Sequence, residues 1–296
     1  MIFPPENFEQ LRLFIVKVNQ GDVDFSIGRK SLRALQIMIS EPEIVAVNNI
    51  VELATVIQLS PASLTRLAKL LGFNGFNQLQ KIFKEKSKKA NHFYSDNLKK
   101  LLAESSTSIS SIINKQHDDM INNLQRSISH INEQSWQKAT NLLAQKHRIF
   151  IFGYRQSSAI ASILRYGLAL IRPNVQMLVQ ADHGVAIALG QLRKGDLLVL
   201  LGSAPYSNVT IKIASLAKKQ HCQILSITDT KLSPLNDFAD VALYIPTVSS
   251  FYANSMVENC FFIESLLSLT AIELGGSALN NLQQHEQLLA DLAVST

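Results

Sequence analysis

Three stretches of this 296-residue chain carry side chains whose types and spacing could do chemistry. The first is Ser60-Pro61-Ala62-Ser63-Leu64-Thr65-Arg66-Leu67-Ala68-Lys69-Leu70-Leu71-Gly72. Ser60 can accept from the N–H groups that follow it, and Pro61 stands where a helix's first residue has no intrahelical N–H partner. Leu64, Leu67, Ala68 and Leu71 share one helical face, Ala62, Ser63, Thr65, Arg66 and Lys69 fall largely on the other, and Gly72 ends the helix. A short helix with an apolar back and a small, hydroxyl-bearing, basic front is what a DNA major groove admits. Its candidate contacts are Ser60, Ser63, Thr65, Arg66 and Lys69, with Lys81 and Lys84 beyond it as phosphate contacts. The other two stretches are Phe152-Gly153-Tyr154-Arg155-Gln156-Ser157-Ser158 and Gly202-Ser203-Ala204-Pro205-Tyr206-Ser207-Asn208. Ser157, Ser158, Ser203 and Ser207 can each donate to an anion's oxygens, and Arg155 adds charge. Ordinary strand-to-helix turns are also rich in serine for capping, so both readings stay open on these residues alone.

The elements around the first stretch are helical. Ile50, Leu53, Ala54 and Ile57 form an apolar stripe, and Gln58-Leu59-Ser60 makes a short turn with Leu59 buried beneath it. Helices are also expected over 7–20 and from about Gly28 to Ile39, and again from Asn77 to about Lys89 through Leu79, Ile82 and Phe83. Residues 60–100 carry a local charge of +7 against +5 for the whole chain, an electrostatic footprint for phosphate backbone or a solvated helix face. Over 90–125 the serine-rich Ser105–Ser111 segment sits among regularly spaced Leu and Ile, which reads as a connecting helix frayed at the serines.

From Arg148 the period changes. Apolar runs at Arg148–Phe152, Val175–Val179, Asp196–Gly202, Gln223–Asp229 and Val241–Pro246 alternate with helical patterns at Ser157–Ile171, Gly184–Leu192 and Tyr206–Gln220. Strands apolar on both faces and joined by helices predict a five-stranded parallel sheet between helical layers. A helix from about Tyr252 to Leu274 closes the domain, and a polar or partly loose tail follows Gly275-Gly276. In such a sheet a ligand sits beyond the carboxyl ends of the strands, where the second and third stretches lie.

Composition bounds the class. Hydrophobic residues at 47% with 12 Gly and 8 Pro describe a globular, helix-rich chain long enough for two domains. Cys222 and Cys260 form neither a metal spacing nor a disulfide framework, which suits a reducing cytosol. Met1-Ile2-Phe3-Pro4-Pro5-Glu6 lacks the start of a signal peptide, and no apolar run reaches the roughly 18 residues of a membrane span. The expectation is a cytoplasmic protein with no membrane partner, no metal and no cofactor.

The tail Leu71-Gly72-Phe73-Asn74-Gly75-Phe76-Asn77-Gln78-Leu79 resembles the end of the helix-turn-helix in RpiR-type transcriptional regulators, which read L-G-F-x-G-F-x-x-L/F. The region from Arg148 to Glu273 is similar to the sugar isomerase (SIS) domain that follows it in that family. The resemblance implies an all-α helix-turn-helix domain over 1–89, a connecting helix over 90–125, and a SIS domain, an α/β three-layer sandwich, over 126–296. It implies a regulator rather than an enzyme, with double-stranded DNA and a small phosphosugar effector as partners. Helix-turn-helix readers pair on two half-sites, so a homodimer or homotetramer is expected. Family members show G-x-G-x-S after the first strand and S-x-S-G-x-S/T after the third. Here Arg155 replaces the second glycine, Gly202 the first serine, Ala204 the middle serine and Pro205 the next glycine, while Ser157 and Ser207 remain. Pro205 lacks an N–H and Ala204 a hydroxyl, and Arg155 is placed to replace the lost attraction or to fill the pocket. Two alternatives therefore stand beside the phosphosugar sensor: a regulator whose sensor no longer binds ligand, and a sugar-phosphate isomerase. The isomerase would need a base, for which His183 and Glu258 are the candidates, although nothing in their spacing makes a catalytic pair.

Overall fold

The computed structural model describes residues 4–20, 22–23, 25–103, 108–129, 131–179, 184–247 and 249–293, and the chain divides into two units, Met1–Phe93 and Tyr94–Thr296. The expected serine-rich stretch falls in part outside these residues, at Ser105, Ser106 and Thr107.

In the first unit the helices begin at local start signals, but the helix expected to end near Lys89 runs on to Ala103. The unit contains α1 (Phe8–Gln20), α2 (Arg29–Ser40), α3 (Pro42–Val47), α4 (Ile50–Val56) and α5 (Pro61–Leu70), and α6 (Phe76–Ala103) begins there. At the head of α4, the Asn49 side chain accepts from the Val51 and Glu52 N–H groups while Glu52 accepts from the Asn49 N–H, a reciprocal capping box. Gln58, at φ 56°, makes the tight turn out of α4, and Ser60 caps α5 by accepting from the Ser63 N–H at 3.1 Å. Helix α5 ends in a Schellman motif: Gly72 at φ 82° donates to the Lys69 carbonyl, and Phe73 donates to that of Ala68. Leu53, Leu64, Leu67, Leu71, Leu79 and Phe83 are buried in one core, with Leu59 packed partly against it.

The second unit alternates strand and helix. It begins with α7 (Ile109–Ser129) and α8 (Glu133–Gln145), followed by β1 (Ile149–Gly153) and α9 (Gln156–Ile171). Then come β2 (Val175–Met177), α10 (Val185–Gly190), β3 (Leu197–Gly202), α11 (Asn208–Lys219), β4 (Gln223–Thr228) and β5 (Val241–Tyr244). Helices α12 (Val257–Leu274) and α13 (Gly276–Asp291) close the chain. The five strands are all parallel in the order β2-β1-β3-β4-β5. Side chains alternate across the sheet: Ile149, Ile151, Val199 and Ile227 pack with α8, α9 and α12, while Phe150, Phe152, Leu198 and Leu200 pack with α10 and α11. The result is the expected three-layer sandwich. At the end of α8, buried Arg172 donates to the carbonyls of Leu143, Ala144, Lys146 and His147, and so satisfies groups a helix terminus leaves open.

One element differs from its expected bounds in a way that matters below. The last long helix does not begin at Tyr252 but at Val257, and residues 249–256 form an irregular segment before it. Among the described residues, no single helix is long and apolar enough to cross a membrane.

Candidate functional site

In the first unit, the front of α5 is laid out as its spacing predicts. Arg66 and Lys69 are exposed and Ser63 and Thr65 half-buried, while Leu64, Leu67 and Ala68 face the core. The hydroxyls already serve the helix. Ser60 Oγ lies 2.8 Å from Ser63 Oγ, Thr65 Oγ1 donates to the Pro61 carbonyl, and Arg66 Nη2 donates to Ser63 Oγ at 3.2 Å. Arg66 is thus steadied across the helix front, and Lys69 projects one turn further on. Lys81 and Lys84 are exposed on α6, Lys81 3.8 Å from Glu85. Lys86, counted in the same basic stretch, turns inward instead. Its Nζ lies 3.9 Å over the Phe8 ring, and burial lowers its ammonium to about 8 against the opposing pull of Glu43 and Glu9.

The second unit has its cleft at the carboxyl ends of β1 and β3. These neighbouring strands send their connections to opposite sides of the sheet, the switch point where open α/β sheets leave a crevice. Gly153 ends β1 because nothing larger fits: a Cβ there would stand 2.3 Å from the Ser157 carbonyl oxygen. The chain then turns through Arg155 at φ 54° and ψ −130° into α9. After β3, the loop runs from Gly202 to Ser207, which caps α11 by accepting from the Val209 N–H at 3.2 Å.

The cleft has two lobes, each about 360 Å³ with its opening to solvent included, that share Gln156, Ser157, Leu201, Gly202, Ser203 and Asn254. The first lobe also takes in Tyr154, Arg155, Pro205 and Ser207. Arg155, Ser157, Ser203 and Ser207 are therefore brought together. Ser158 is not; its hydroxyl donates to the Arg155 carbonyl at 2.6 Å and so caps its own turn. The Arg155 guanidinium is exposed, 5.9 Å from the Tyr154 ring, and among the described residues no carboxylate or carbonyl holds it. An exposed guanidinium with no internal partner is not a structural plug.

The loop after β3 is braced from behind. Asp229 accepts from the Ala204 N–H at 3.2 Å, from the Tyr206 hydroxyl at 2.5 Å and from Thr228 Oγ1 at 3.2 Å. Burial, and then the Asp229 charge, push the Tyr206 phenol well above its usual range, so it stays a neutral donor. The Ala204 N–H is consequently engaged, and Pro205 has none, so these two positions of the loop offer an anion no N–H. From the front, Asn254 Nδ2 donates to Ser203 Oγ at 3.1 Å and to the Ala204 carbonyl at 2.8 Å, and the Asn254 carbonyl accepts from Gln156 at 2.8 Å. One asparagine thus ties the turn after β1 to the loop after β3. Neither Asn254 nor Asp229 stands out by local spacing, because their partners are 50 and 25 residues away.

Of the two candidate bases, His183 lies outside the described residues. Glu258 is fully buried in the first turn of α12, with neither carboxylate oxygen hydrogen-bonded, and it lines neither lobe. Proton transfer between sugar carbons needs a base within reach of the substrate, and no histidine or carboxylate lines the cleft among the described residues.

Arg155 yields a two-part expectation. A side chain at positive φ outside the left-handed helical well costs on the order of 1–3 kcal/mol. Glycine there relieves most of that at some entropic expense, so Arg155→Gly should raise stability by about 1 kcal/mol while weakening anion binding. Arg155→Lys should keep the charge but lose the planar fork, and bind more weakly than wild type. Calorimetric titration beside thermal melts checks both; tighter binding by the glycine variant would remove Arg155 from the ligand contacts.

A family model described as the SIS domain matches residues 142–269. The chain is 23% identical over 223 residues to an uncharacterised HTH-type transcriptional regulator of Clostridium perfringens, covering 74% of this chain and 78% of that one. The sugar isomerase domain of an RpiR transcription factor from Sphaerobacter thermophilus superposes with a TM-score of 0.55 at 22% identity, over 58% of this chain and 96% of that one. The Vibrio vulnificus NanR protein, solved in complex with ManNAc-6P, superposes with a TM-score of 0.56 at 17% identity, over 95% and 99% of the two chains. Both structural likenesses are likenesses of fold.

Proposed function

We propose that this chain, a regulator of the RpiR type by its SIS domain and its likeness to HTH-type transcriptional regulators, binds double-stranded DNA and senses a phosphorylated sugar or related anion. The DNA contacts of this reading are Ser60, Ser63, Thr65, Arg66, Lys69, Lys81 and Lys84, within a reader domain over 1–89. The effector contacts are Arg155, Ser157, Ser203 and Ser207, within a domain over 126–296. It works in the cytoplasm as a homodimer or homotetramer. The observation that supports the sensor most directly is the convergence of a free guanidinium and three hydroxyls on the β1–β3 switch point.

The protein is a binder and not an isomerase in this reading, because Glu258 is walled off from the cleft by its burial. A second reading, a regulator with a ligand-free sensor, draws support from Pro205 and from the hold of Asp229 on the Ala204 N–H. A salt-controlled gel shift on operator DNA, run with and without a panel of sugar phosphates, separates these. A change in DNA affinity with one sugar phosphate, and no aldose–ketose conversion over hours, is the expected result. Turnover that disappears in Glu258→Gln would overturn the regulator-only reading, and a panel without effect on DNA binding or melting temperature would favour the ligand-free one.

A further inference from the structure

The groups that the sensor reading gives to the effector, Arg155, Ser157, Ser203 and Ser207, all stand at the strand ends of the sheet. A ligand held by these alone meets the same partners whatever the DNA-reading helices do. It then has equal affinity for every state of the reader and shifts none of them. A sensor therefore requires an effector contact on an element that the reader also uses.

The cleft has such a residue. Tyr94 lines the Arg155 lobe, and among the described residues it is the one lining residue of either lobe outside 154–259. It lies outside the residues matched by the SIS model as well. By its contacts Tyr94 belongs to the second unit, yet it stands on α6, whose earlier residues Leu79, Ile82 and Phe83 are buried in the core of the first. Phe83 and Tyr94 are about three turns apart along that one helix. A tyrosine can donate its hydroxyl to an anion's oxygen and lay its ring against a sugar. The other connecting helix is tied to the same cleft. Asp119 of α7 accepts from the Ser250 N–H at 3.2 Å, at the start of the irregular segment that carries Asn254. We infer that Tyr94 is an effector contact, and the one through which effector occupancy is passed along α6 to the DNA-reading helices. This rests on the sensor reading above and adds its route of communication.

The test uses the full chain and a DNA duplex selected from a random pool by the wild-type protein. Calorimetry measures the binding of hexose 6-phosphates, pentose 5-phosphates and inorganic phosphate, and anisotropy measures DNA affinity with and without saturating sugar phosphate. In wild type, one sugar phosphate should bind and change DNA affinity by at least about fivefold. Tyr94 is 40% exposed, so Tyr94→Ala should melt within about 2 °C of wild type and bind DNA alone as wild type does. Its affinity for the sugar phosphate should fall about tenfold, and at saturation the change in DNA affinity should shrink below about twofold. Tyr94→Gln, with a longer side chain and no ring, should give the same result. Wild-type coupling at saturation in these variants, or unchanged affinity for the sugar phosphate, overturns the inference and leaves the sensor reading in place. Absence of binding by every sugar phosphate to the folded wild-type protein overturns both.

Discussion

Gly153→Ala is expected to take the effector response away and lower the melting temperature of the second unit by about 5–10 °C. The added Cβ would lie 2.3 Å from the Ser157 carbonyl oxygen and 2.6 Å from its carbon. Both are backbone atoms, so no side-chain rotation relieves the clash. Either β1 or the first turn of α9 must shift, and Arg155, Ser157 and Gln156 ride on that turn. Overpacking of this kind costs about 1–3 kcal/mol. Because Gln156 also donates to the Asn254 carbonyl, displacement of α9 carries into the loop after β3. Thermal melts that resolve the two units, followed by titration with the effector, provide the check. An alanine variant with wild-type melting and wild-type effector affinity would mean that the close approach of strand and helix does not shape the cleft.

Arg66→Glu should reduce operator affinity by at least about a hundredfold without altering helicity. Removal of an arginine that reads a guanine costs about 1–3 kcal/mol, and reversal of its charge adds repulsion from phosphate. The side chain is exposed, and its bond to Ser63 Oγ lies on the surface, so the fold loses little. Lys84→Ala, on exposed α6, should instead weaken binding to all sequences alike and reduce the salt slope by about one. Anisotropy titrations at several salt concentrations distinguish the two effects. Unchanged operator affinity for Arg66→Glu would place the recognition helix elsewhere.

The helix-turn-helix and the parallel sheet were legible because local rules determine them. Ser60 with Pro61, the Leu64–Leu67–Leu71 spacing and Gly72 each act within one or two turns of chain, and the strands alternate or run apolar over five or six residues. The cleft was only half legible. Its hydroxyls and Arg155 lie next to strand ends and could be read there, whereas Asn254 was concealed by a helix expected to begin at Tyr252. Tyr252-Ala253-Asn254-Ser255 contains no Gly or Pro to break that pattern. Ser255-x-x-Glu258 has the spacing of a capping box, but none forms, since the residue before the helix is Met256 and Glu258 makes no hydrogen bond. Ser255 Oγ does accept from the Val257 N–H, at 3.4 Å. Asp229 left no such trace, since its partners meet it only once β3 and β4 pair. Lys86 was likewise counted with its basic neighbours, because nothing in a lysine run tells which member packs on Phe8.

The backbone at residue 155 has a bearing on how this family of sites can diversify. With φ 54° and ψ −130° it lies outside the left-handed helical well, so even asparagine and aspartate gain no local relief there. Every unbranched side chain carries nearly the same conformational burden, and only glycine is exempt. Once glycine has been left behind, exchanges among arginine, lysine, glutamine and methionine are close to neutral for folding and differ only in what they present to the cleft. If Arg155 meets the effector as proposed, ligand preference can drift at position 155 while stability stands still, and a saturation library there would report recognition almost uncontaminated by fold.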